Sequence, residues 1–388
     1  MNFSDIKAPL LAGTVASVTG TAASIGVVLS ALKALGASDS QTATAIFVML
    51  ISYGVLSIVV SWRIKMPISI VWSTPGAALL VASGTLGLGF SNAVGAFLVT
   101  GALLAITGLW PALGRLVSSI PKPIASAMLA GVIFPFCIAP FQSLAEYATA
   151  IVPALIIWLV LYRFATVWAA PAAIATAFVL ISLELNVSLP ASSLLPELTP
   201  IAPTFSWLAV IGVAIPLYLV TMASQNIPGF AIMKSFGFEV PSRPALVSTG
   251  LATMVGSFFG GFALNLAAIT AALNANEHAH KDPNRRWLAS VFGGVLYILL
   301  AFAVAPIVAY VLAVPRVLIL ALAGIALFGT ILNAISSAVE DVDLRLPAII
   351  TFLVGASGLA IFGIGPGFWA LTAGVVVWLS LRKRSKNA

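Results

Sequence analysis

Two short stretches carry the polar residues best suited to binding chemistry in an otherwise apolar chain. In "WSTPGAALL" (72–80), Ser73-Thr74-Pro75 interrupts an apolar run, and Ser or Thr before Pro is typical of the start of a helix. In "LVTMASQNIPGFAIMK" (219–234), the amides of Gln225 and Asn226 precede Pro228-Gly229. Amides in an apolar segment are costly unless they are hydrogen-bonded. They predict either ligand donors or contacts that hold helices together.

Composition places these stretches inside a membrane. Of the 388 residues, 61% are hydrophobic and 7% are charged, whereas a soluble domain has about 25% charged residues. Apolar runs of about 20 residues recur along the whole chain, which predicts an all-α polytopic membrane protein. The sequence contains no H-E-x-x-H, G-x-S-x-G or P-loop motif, so we predict no enzyme, no catalytic residue, no metal and no cofactor.

Fourteen apolar segments are predicted to span the membrane, in two sets of seven. The first set is 10–34, 43–62, 67–84, 92–111, 122–140, 147–164 and 166–185. The second set is 207–234, 243–261, 263–276, 286–312, 315–338, 346–363 and 366–381.

The basic residues predict the orientation of these spans. With the N-terminus in the cytoplasm, only Lys33 and Arg316 of the 18 Lys and Arg residues fall on the outer side. Such an asymmetry follows the positive-inside rule. It predicts a multi-pass protein of a bacterial inner membrane with both termini cytoplasmic. The net charge of +7 is therefore a topology signal and does not predict a nucleic-acid partner.

The two halves of the chain resemble each other. "ALIIWLV" (154–160) returns as "AIITFLV" (348–354), and "PGAAL" (75–79) returns as "ITAAL" (269–273), both at an offset of 194. Because seven spans is an odd number, the second copy has the opposite orientation, as in the inverted repeats of secondary transporters. The predicted divisions are a first repeat (1–190), a connector (191–205) and a second repeat (206–388).

The repeat gives both halves a broken span, the third and the tenth. We expect short extended segments at 67–72 and 261–265, and half-helices that begin near Thr74 and within 265–268. Non-helical backbone at membrane depth is tolerated only where it is buried in protein or lines a cavity, and paired interruptions mark a binding site. The alternative is a simple kink at Pro75 and a GxxxG packing motif in "GSFFG" (256–260).

Half-helix N-termini that meet at the midplane favour an anion, because they present free N–H groups and the positive end of the helix dipole. No charged residue lies well inside a span except Glu184, near the end of the seventh. Trp72, Phe258, Phe259 and Phe262 flank the breaks and are suited to an apolar ring. The repeat also pairs Ser24 with Gln225, so "TGTAAS" (19–24) is expected at the same cavity. The predicted substrate-binding residues are Ser24, Trp72, Ser73, Thr74, Gly76, Gln225, Asn226, Gly229, Asn265, Ala268, Ile269 and Thr270.

"WSTPGAALL", "VTMASQNIPGFAIMK" and "RRWLAS" resemble signatures of the benzoate–proton symporter (BenE-type) family over essentially the whole chain. That family is related in fold to the uracil/xanthine permeases and to the sulfate-permease and prestin-type anion carriers. The resemblance implies a seven-plus-seven inverted repeat with core and gate domains, elevator-type movement and a homodimer. Its implied partners are a benzoate-like anion, a proton and the lipid bilayer.

The resemblance also bears on single positions. Gln225 stands where uracil permeases carry a substrate-binding glutamate, Gly229 replaces a nearby histidine, and Ile269 replaces the glutamate of the tenth span. The loss of carboxylates fits an anionic aromatic acid better than a nucleobase. It leaves the proton carrier open between Glu184 and co-transport of the protonated acid.

Two other functions remain open from the sequence. One is a nucleobase or inorganic-anion carrier of the same fold, which competition by uracil or sulfate, but not by benzoate, would indicate. The other is a passive anion channel, which an ohmic, non-saturating current would indicate.

Overall fold

The computed structural model describes residues 3–22, 24–185, 197–267, 269–362 and 364–382. Within these ranges, seven helices are long and apolar enough to cross a membrane, or eight if Pro283–Ala301 and Val304–Val311, bent by 60°, form one span. The chain is therefore a mostly helical, multi-pass integral membrane protein. Several predicted spans are broken or shorter than 18 residues here, so the fourteen-span arrangement stays a prediction.

The described residues form nineteen α-helices and two short strands. The helices of the N-terminal half are α1 (Phe3–Ala22), α2 (Ile25–Ala34), α3 (Asp39–Ile64), α4 (Thr74–Ser83), α5 (Phe90–Leu109), α6 (Pro111–Ser118), α7 (Lys122–Gln142), α8 (Leu144–Phe164) and α9 (Thr166–Leu185). Those of the C-terminal half are α10 (Trp207–Ala209), α11 (Ile215–Thr221), α12 (Ile227–Ser235), α13 (Ser242–Ser257), α14 (Ile269–Ala275), α15 (Trp287–Ala301), α16 (Val304–Ala313), α17 (Arg316–Ala338), α18 (Arg345–Ala356) and α19 (Pro366–Arg382). The strands are β1 (Ile70–Trp72) and β2 (Leu264–Leu266).

Three predicted segments differ from the observed elements. The predicted span 10–34 is found as one candidate span, Ile6–Ala34, but it consists of two helices, α1 and α2, that meet at Ser24, in a stretch of Gly, Thr and Ser that are weak helix formers. The predicted span 286–312 is the bent pair α15 and α16. Helix α6 lies where the sequence predicts only a connection. Of the predicted connector 191–205, residues 191–196 lie outside the described residues.

Strands β1 and β2 form an antiparallel pair in the registers Ile70↔Leu266, Val71↔Asn265 and Trp72↔Leu264. The ladder is extended at both ends, where Ser73 N donates to Ala263 O at 2.9 Å and Ala267 N donates to Ser69 O at 2.8 Å. Both strands fall within or beside the extended segments that the sequence predicts. Each strand is followed by a helix. Because the two segments of the chain run antiparallel where they cross, these helices lead away from opposite ends of the ladder.

Side chains complete the hydrogen bonding of the outer strand edges. Ser57 Oγ on α3 accepts from Ile70 N at 3.0 Å, and Thr253 Oγ1 on α13 accepts from Leu264 N at 3.0 Å. Asn226 Oδ1 accepts from Leu266 N at 2.9 Å. Because each unsatisfied backbone group would cost several kcal/mol away from water, these side chains allow strands to exist between helices.

The half-helices begin close to the predicted positions. Helix α4 begins at Thr74, and its N-cap Ser73 accepts a hydrogen bond from Gly76 N at 3.1 Å through Oγ. Helix α14 begins at Ile269, one residue beyond the predicted range. Ala268 lies outside the described residues.

Glycine pairs set the close packing of the helices that hold the strands. On α3 and α15, a Cβ at Gly54 would lie 2.8 Å from Gly294 O, and one at Gly294 would lie 2.6 Å from Gly54 O. On α5 and α13, a Cβ at Gly101 would lie 2.8 Å from Gly250 O. Small residues at such crossings let helix backbones approach closely in membranes.

The apolar interior has two main parts. The larger cluster gathers β1, β2 and helices that include α2, α3, α4 and α5. A second cluster gathers residues of α8, α9 and α17, with Ile151, Ile181 and Leu318 fully enclosed. The candidate site lies where these two groups of helices face each other.

The close contact between Gly54 and Gly294 leads to a prediction about stability. We expect Gly294→Ala to lower the free energy of unfolding by about 1–3 kcal/mol, because the added methyl group overpacks the α3–α15 contact. The measurement is the thermal unfolding midpoint in detergent. Gly26→Ala is the matched control, because among the described residues no atom outside its own turns of α2 lies within 4 Å of a Cβ there. Equal midpoints for the two variants would contradict the prediction.

Candidate functional site

A cavity of about 390 Å³ lies where β1 and β2 end and helix α4 begins. This volume is at the lower end of the range of small-molecule sites. Residues from α1, α3, β1, α4, α8, α9, α14, α15 and α17 border it. Of the predicted site residues, the structure brings Ser24, Trp72, Thr74, Gln225 and Thr270 to this cavity.

The first wall comes from the break between α1 and α2. Thr19, Gly20, Thr21 and Ser24 line it, which places most of the "TGTAAS" stretch beside Gln225. Ser24 itself is engaged within the protein, since its Oγ donates to Gly20 O at 2.6 Å and accepts from Trp72 Nε1 at 2.8 Å. Its hydroxyl hydrogen is thus already used, and in this structure Ser24 positions Trp72 rather than offering a donor to a ligand.

The second wall is the crossing point of the strands. Val71, Trp72 and Thr74 line it from one side, and Ala267 and Thr270 from the other. Thr270 is buried, and its Oγ1 has no hydrogen-bond partner among the described residues. A buried hydroxyl without a partner costs about 1–3 kcal/mol, so Thr270 is placed to bond a ligand that enters the cavity.

Ser73 and Gly76 lie behind the cavity rather than in it. Ser73 is fully buried, caps α4, and accepts a hydrogen bond from Thr221 Oγ1 at 3.0 Å. A Cβ at Gly76 would lie 2.6 Å from Leu217 Cδ1. Helix packing therefore explains the glycine. This geometry does not support the prediction that Ser73 and Gly76 contact the substrate, because both residues hold the start of α4 in place.

Asn226 and Gly229 also serve the scaffold. The Asn226 side chain accepts from Leu266 N and donates to Met222 Sδ at 3.4 Å. A Cβ at Gly229 would lie 3.0 Å from Leu266 Cγ, so the helix packs directly on β2. Neither residue lines the cavity, and the Asn226 side chain links its own helical segment to strand β2.

Asn265 is the middle residue of β2 and is fully buried. Its Nδ2 donates to Leu266 O at 3.1 Å, while its Oδ1 has no partner among the described residues. It does not line the cavity. Ile269 begins α14, and its backbone alone is described; Ala268 is outside the described residues.

Gln225 reaches the cavity from a π-helical turn, Met222–Asn226. A second π-helical turn, Val210–Ala214, lies earlier in the same span. Such turns inside an α-helix occur often at functional sites. The turn places two adjacent amides in different roles, because half-buried Gln225 borders the cavity while Asn226 ties the helix to β2.

The structure adds cavity residues that sequence patterns did not reveal. Tyr53 on α3 and Tyr297 on α15 line the inner part. Trp158, Tyr162 and Thr166 line the outer part from α8 and α9, and Thr330 and Asn333 do so from α17. The predicted Phe258, Phe259 and Phe262 are not among the lining residues; Phe262 instead packs on Phe97 with ring centroids 6.0 Å apart.

The cavity lining is mostly apolar, and it carries no charged side chain among the described residues. Within these residues it contains hydroxyls and amides but no Asp, Glu, His, Lys or Arg. Glu184 lies elsewhere and accepts a hydrogen bond from Thr149 Oγ1 at 2.8 Å. No group of three or more His, Cys, Asp or Glu residues suited to a metal ion occurs in the part of the chain that the structure describes.

Comparisons with known proteins agree with this architecture. The chain is 38% identical over 373 residues to a protein described as "Inner membrane protein YdcO" from Escherichia coli (strain K12), covering 96% of this chain and 95% of that protein. It is 30% identical over 382 residues to the "Benzoate membrane transport protein" of Acinetobacter baylyi (strain ATCC 33305 / BD413 / ADP1), with the same coverage.

Solved structures of low sequence identity share the fold. The transmembrane domain of a cyanobacterium bicarbonate transporter, BicA, superposes with a TM-score of 0.62 at 16% identity, covering 97% of this chain and 98% of that one. SLC26A9 superposes with a TM-score of 0.62 at 13% identity, covering 98% of this chain and 66% of that one.

The family model described as "Benzoate membrane transport protein" (BenE) matches residues 4–379. The chain is accordingly a membrane transporter rather than an enzyme. With nearly its whole length matched, the chain belongs to the BenE benzoate membrane transport family.

Proposed function

We propose that this transporter imports benzoate or a similar aromatic monocarboxylate across the bacterial inner membrane. The observation that carries the proposal is the uncharged cavity at the start of α4, where the unpartnered Thr270 hydroxyl lies among aromatic side chains. The 30% identity to a protein named as a benzoate transporter supports the same substrate class.

An anionic carboxylate suits the polar end of the cavity. Thr74 is the first residue of the ten-residue helix α4 and lines the cavity. The N-terminus of a helix carries partial positive charge that favours an anion. Carboxylates on the protein would repel such a substrate, and none lines the cavity within the described residues.

We propose that uptake is coupled to protons. Moving one anion into a cell against about 100 mV, inside negative, costs about 2.3 kcal/mol, and a co-transported proton cancels that charge. Because the described lining contains no carboxylate or histidine, and Glu184 lies outside it, we favour a proton that is carried on the carboxylate of the substrate, once the anion is bound, over a protein carboxylate that carries it.

The two ends of α9 differ in how open they are, and this difference supports alternating access. The cavity borders exposed Thr166 at the start of this helix and exposed Asn333 on α17. Twelve residues further along α9, about 18 Å, Tyr310 on α16 donates a hydrogen bond to Phe178 O at 2.7 Å and bonds Ser182 Oγ. Arg163 precedes the open end, and the positive-inside rule assigns that end to the cytoplasm. We propose an inward-facing state of an elevator-type carrier.

The fourteen-span inverted repeat, with repeats 1–190 and 206–388, has internal support. The central ladder pair is Val71↔Asn265, two positions that are 194 residues apart, which is the offset of the sequence repeat. The hydrogen bond from Ile70 N to Ser57 Oγ has a counterpart in the second half, from Leu264 N to Thr253 Oγ1, at positions that are shifted by nearly the same offset. We propose that the repeats form core and gate domains and that the protein is a homodimer, as the resemblance implies.

A carrier of inorganic anions is the main alternative, and one observation favours it. The structural neighbours include a bicarbonate transporter and an anion transporter. A nucleobase carrier or a passive anion channel has no such support. Inhibition of benzoate uptake by bicarbonate or sulfate at concentrations comparable to benzoate would favour this alternative.

Gln225 is expected to contribute directly to transport. We expect the wild-type protein in proteoliposomes to take up benzoate saturably under an inward proton gradient. We expect Gln225→Ala to reduce this uptake about 10-fold or more, which corresponds to a free-energy loss of about 1.4 kcal/mol or more. Gln142→Ala is the matched control, because Gln142 is exposed at the end of α7. Absence of uptake by folded wild-type protein would overturn the substrate, while full uptake by Gln225→Ala would overturn only the role of this residue.

The proposed orientation predicts from which side of the membrane a labelling reagent can reach the cavity. We expect a membrane-impermeant maleimide to modify Asn333→Cys in inside-out vesicles and to spare it in intact cells, in a Cys137→Ser background that removes the single native cysteine. Exposed Ser40→Cys, on the predicted outer side, serves as the reciprocal control. Labelling of Asn333→Cys from outside the cell would contradict the inward-facing orientation.

A further inference from the structure

Three aromatic side chains from three separate elements border the inner part of the cavity. Tyr53 lies on α3, Trp72 on β1 and Tyr297 on α15. Their exposed fractions are 1%, 2% and 3%, so packing holds all three in place. We call these three side chains the aromatic wall.

The rings of the aromatic wall are arranged edge to face. The Tyr53 centroid lies 5.5 Å from that of Trp72 and 4.5 Å from that of Tyr297, with an interplanar angle of 89° in both pairs. This T-shaped arrangement is one that ring quadrupoles prefer. Trp72 is fixed further by the hydrogen bond from its Nε1 to Ser24 Oγ. The wall is therefore preorganised, which reduces the entropy that is lost when a ligand binds.

A polar group lies next to the aromatic wall. A Cβ at Gly20 would be 3.1 Å from Thr270 Cγ2 and 3.6 Å from Tyr297 Oη, so the two side chains meet at the same point of α1. The Thr270 hydroxyl has no partner among the described residues, and Thr270 is one of the residues that line the cavity. This spacing suits a ligand whose anionic group is attached directly to a ring.

We propose that the aromatic wall is a ring-binding subsite that selects aromatic acids over saturated acids of the same size, with the carboxylate next to Thr270. The inference rests on the proposed function and deepens it. An aromatic ring gains edge-to-face contacts beyond the burial of its surface. A saturated ring gains only the burial, and an inorganic anion gains neither.

The test compares two acids in one binding assay on purified, detergent-solubilised protein. Radiolabelled benzoate is displaced by unlabelled benzoate or by cyclohexanecarboxylate, and the ratio of the two inhibition constants is measured. For wild-type protein we expect a preference for benzoate. In Tyr297→Leu we expect the preference to fall about 3- to 10-fold, the effect of one lost aromatic pair, or benzoate binding to be lost.

Three further variants separate the possible causes. Phe97→Leu removes an equally buried ring outside the cavity, and it is expected to keep the wild-type ratio. Tyr297→Phe keeps the ring and is expected to restore the ratio that Tyr297→Leu lowers. Tyr53→Leu replaces Tyr297→Leu in the test if the latter does not elute as a folded protein.

The outcomes distinguish this inference from the proposed function. A folded wild-type protein that does not bind benzoate overturns both. A wild-type protein that binds benzoate, with an unchanged ratio in Tyr297→Leu or Tyr53→Leu, overturns the aromatic wall alone. A reduced ratio that Phe97→Leu reproduces also overturns it, because the effect then does not depend on the cavity.

Discussion

The structure depends on how the backbone N–H and C=O groups of two short strands find hydrogen-bond partners within the protein at membrane depth. β1 and β2 satisfy each other along their shared edge, and Ser57, Thr253 and Asn226 satisfy backbone N–H groups on the outer edges. Small residues at the helix crossings, such as Gly54 against Gly294, let the helices that carry these side chains approach closely. Strand, hydroxyl and glycine therefore form one interdependent unit, and loss of any of them leaves a buried polar group unpaired.

This unit also explains how the proposed binding site can form without charged residues. Because the antiparallel ladder is only three residues long, the residues that follow its two opposite ends, including Thr74 after Trp72 and Thr270 after Leu266, both border one cavity. Several polar side chains near the cavity are consumed in holding that geometry: Ser24 fixes Trp72, Ser73 caps α4, and Asn226 supports β2. The groups that remain for a ligand among the described residues include the unpartnered hydroxyls of Thr21 and Thr270, the Gln225 amide, the start of α4 and ring surfaces.

Sequence reasoning located the strands and the start of α4, because Ser-Thr-Pro is a local signal and the repeat carries it to the second half. It could not separate cavity residues from scaffold residues, since Gln225 and Asn226 are adjacent and only a π-helical turn assigns them different neighbours. It also missed Tyr53 and Tyr297, which stand within long apolar helices with no local motif. Their proximity, with ring centroids 4.5 Å apart, arises from the packing of α3 on α15. Ring–ring contacts between distant segments leave no spacing pattern in a single sequence.

The most direct test of the central claim is a crystal structure of the protein with 4-iodobenzoate, in which the iodine is located by its anomalous scattering. We predict one iodine site inside the cavity of about 390 Å³, with the carboxylate within hydrogen-bonding distance of Thr270 Oγ1 and the ring against Tyr53, Trp72 and Tyr297. An iodine site elsewhere, with this cavity empty, would contradict the assignment of the crossing strands as the substrate site.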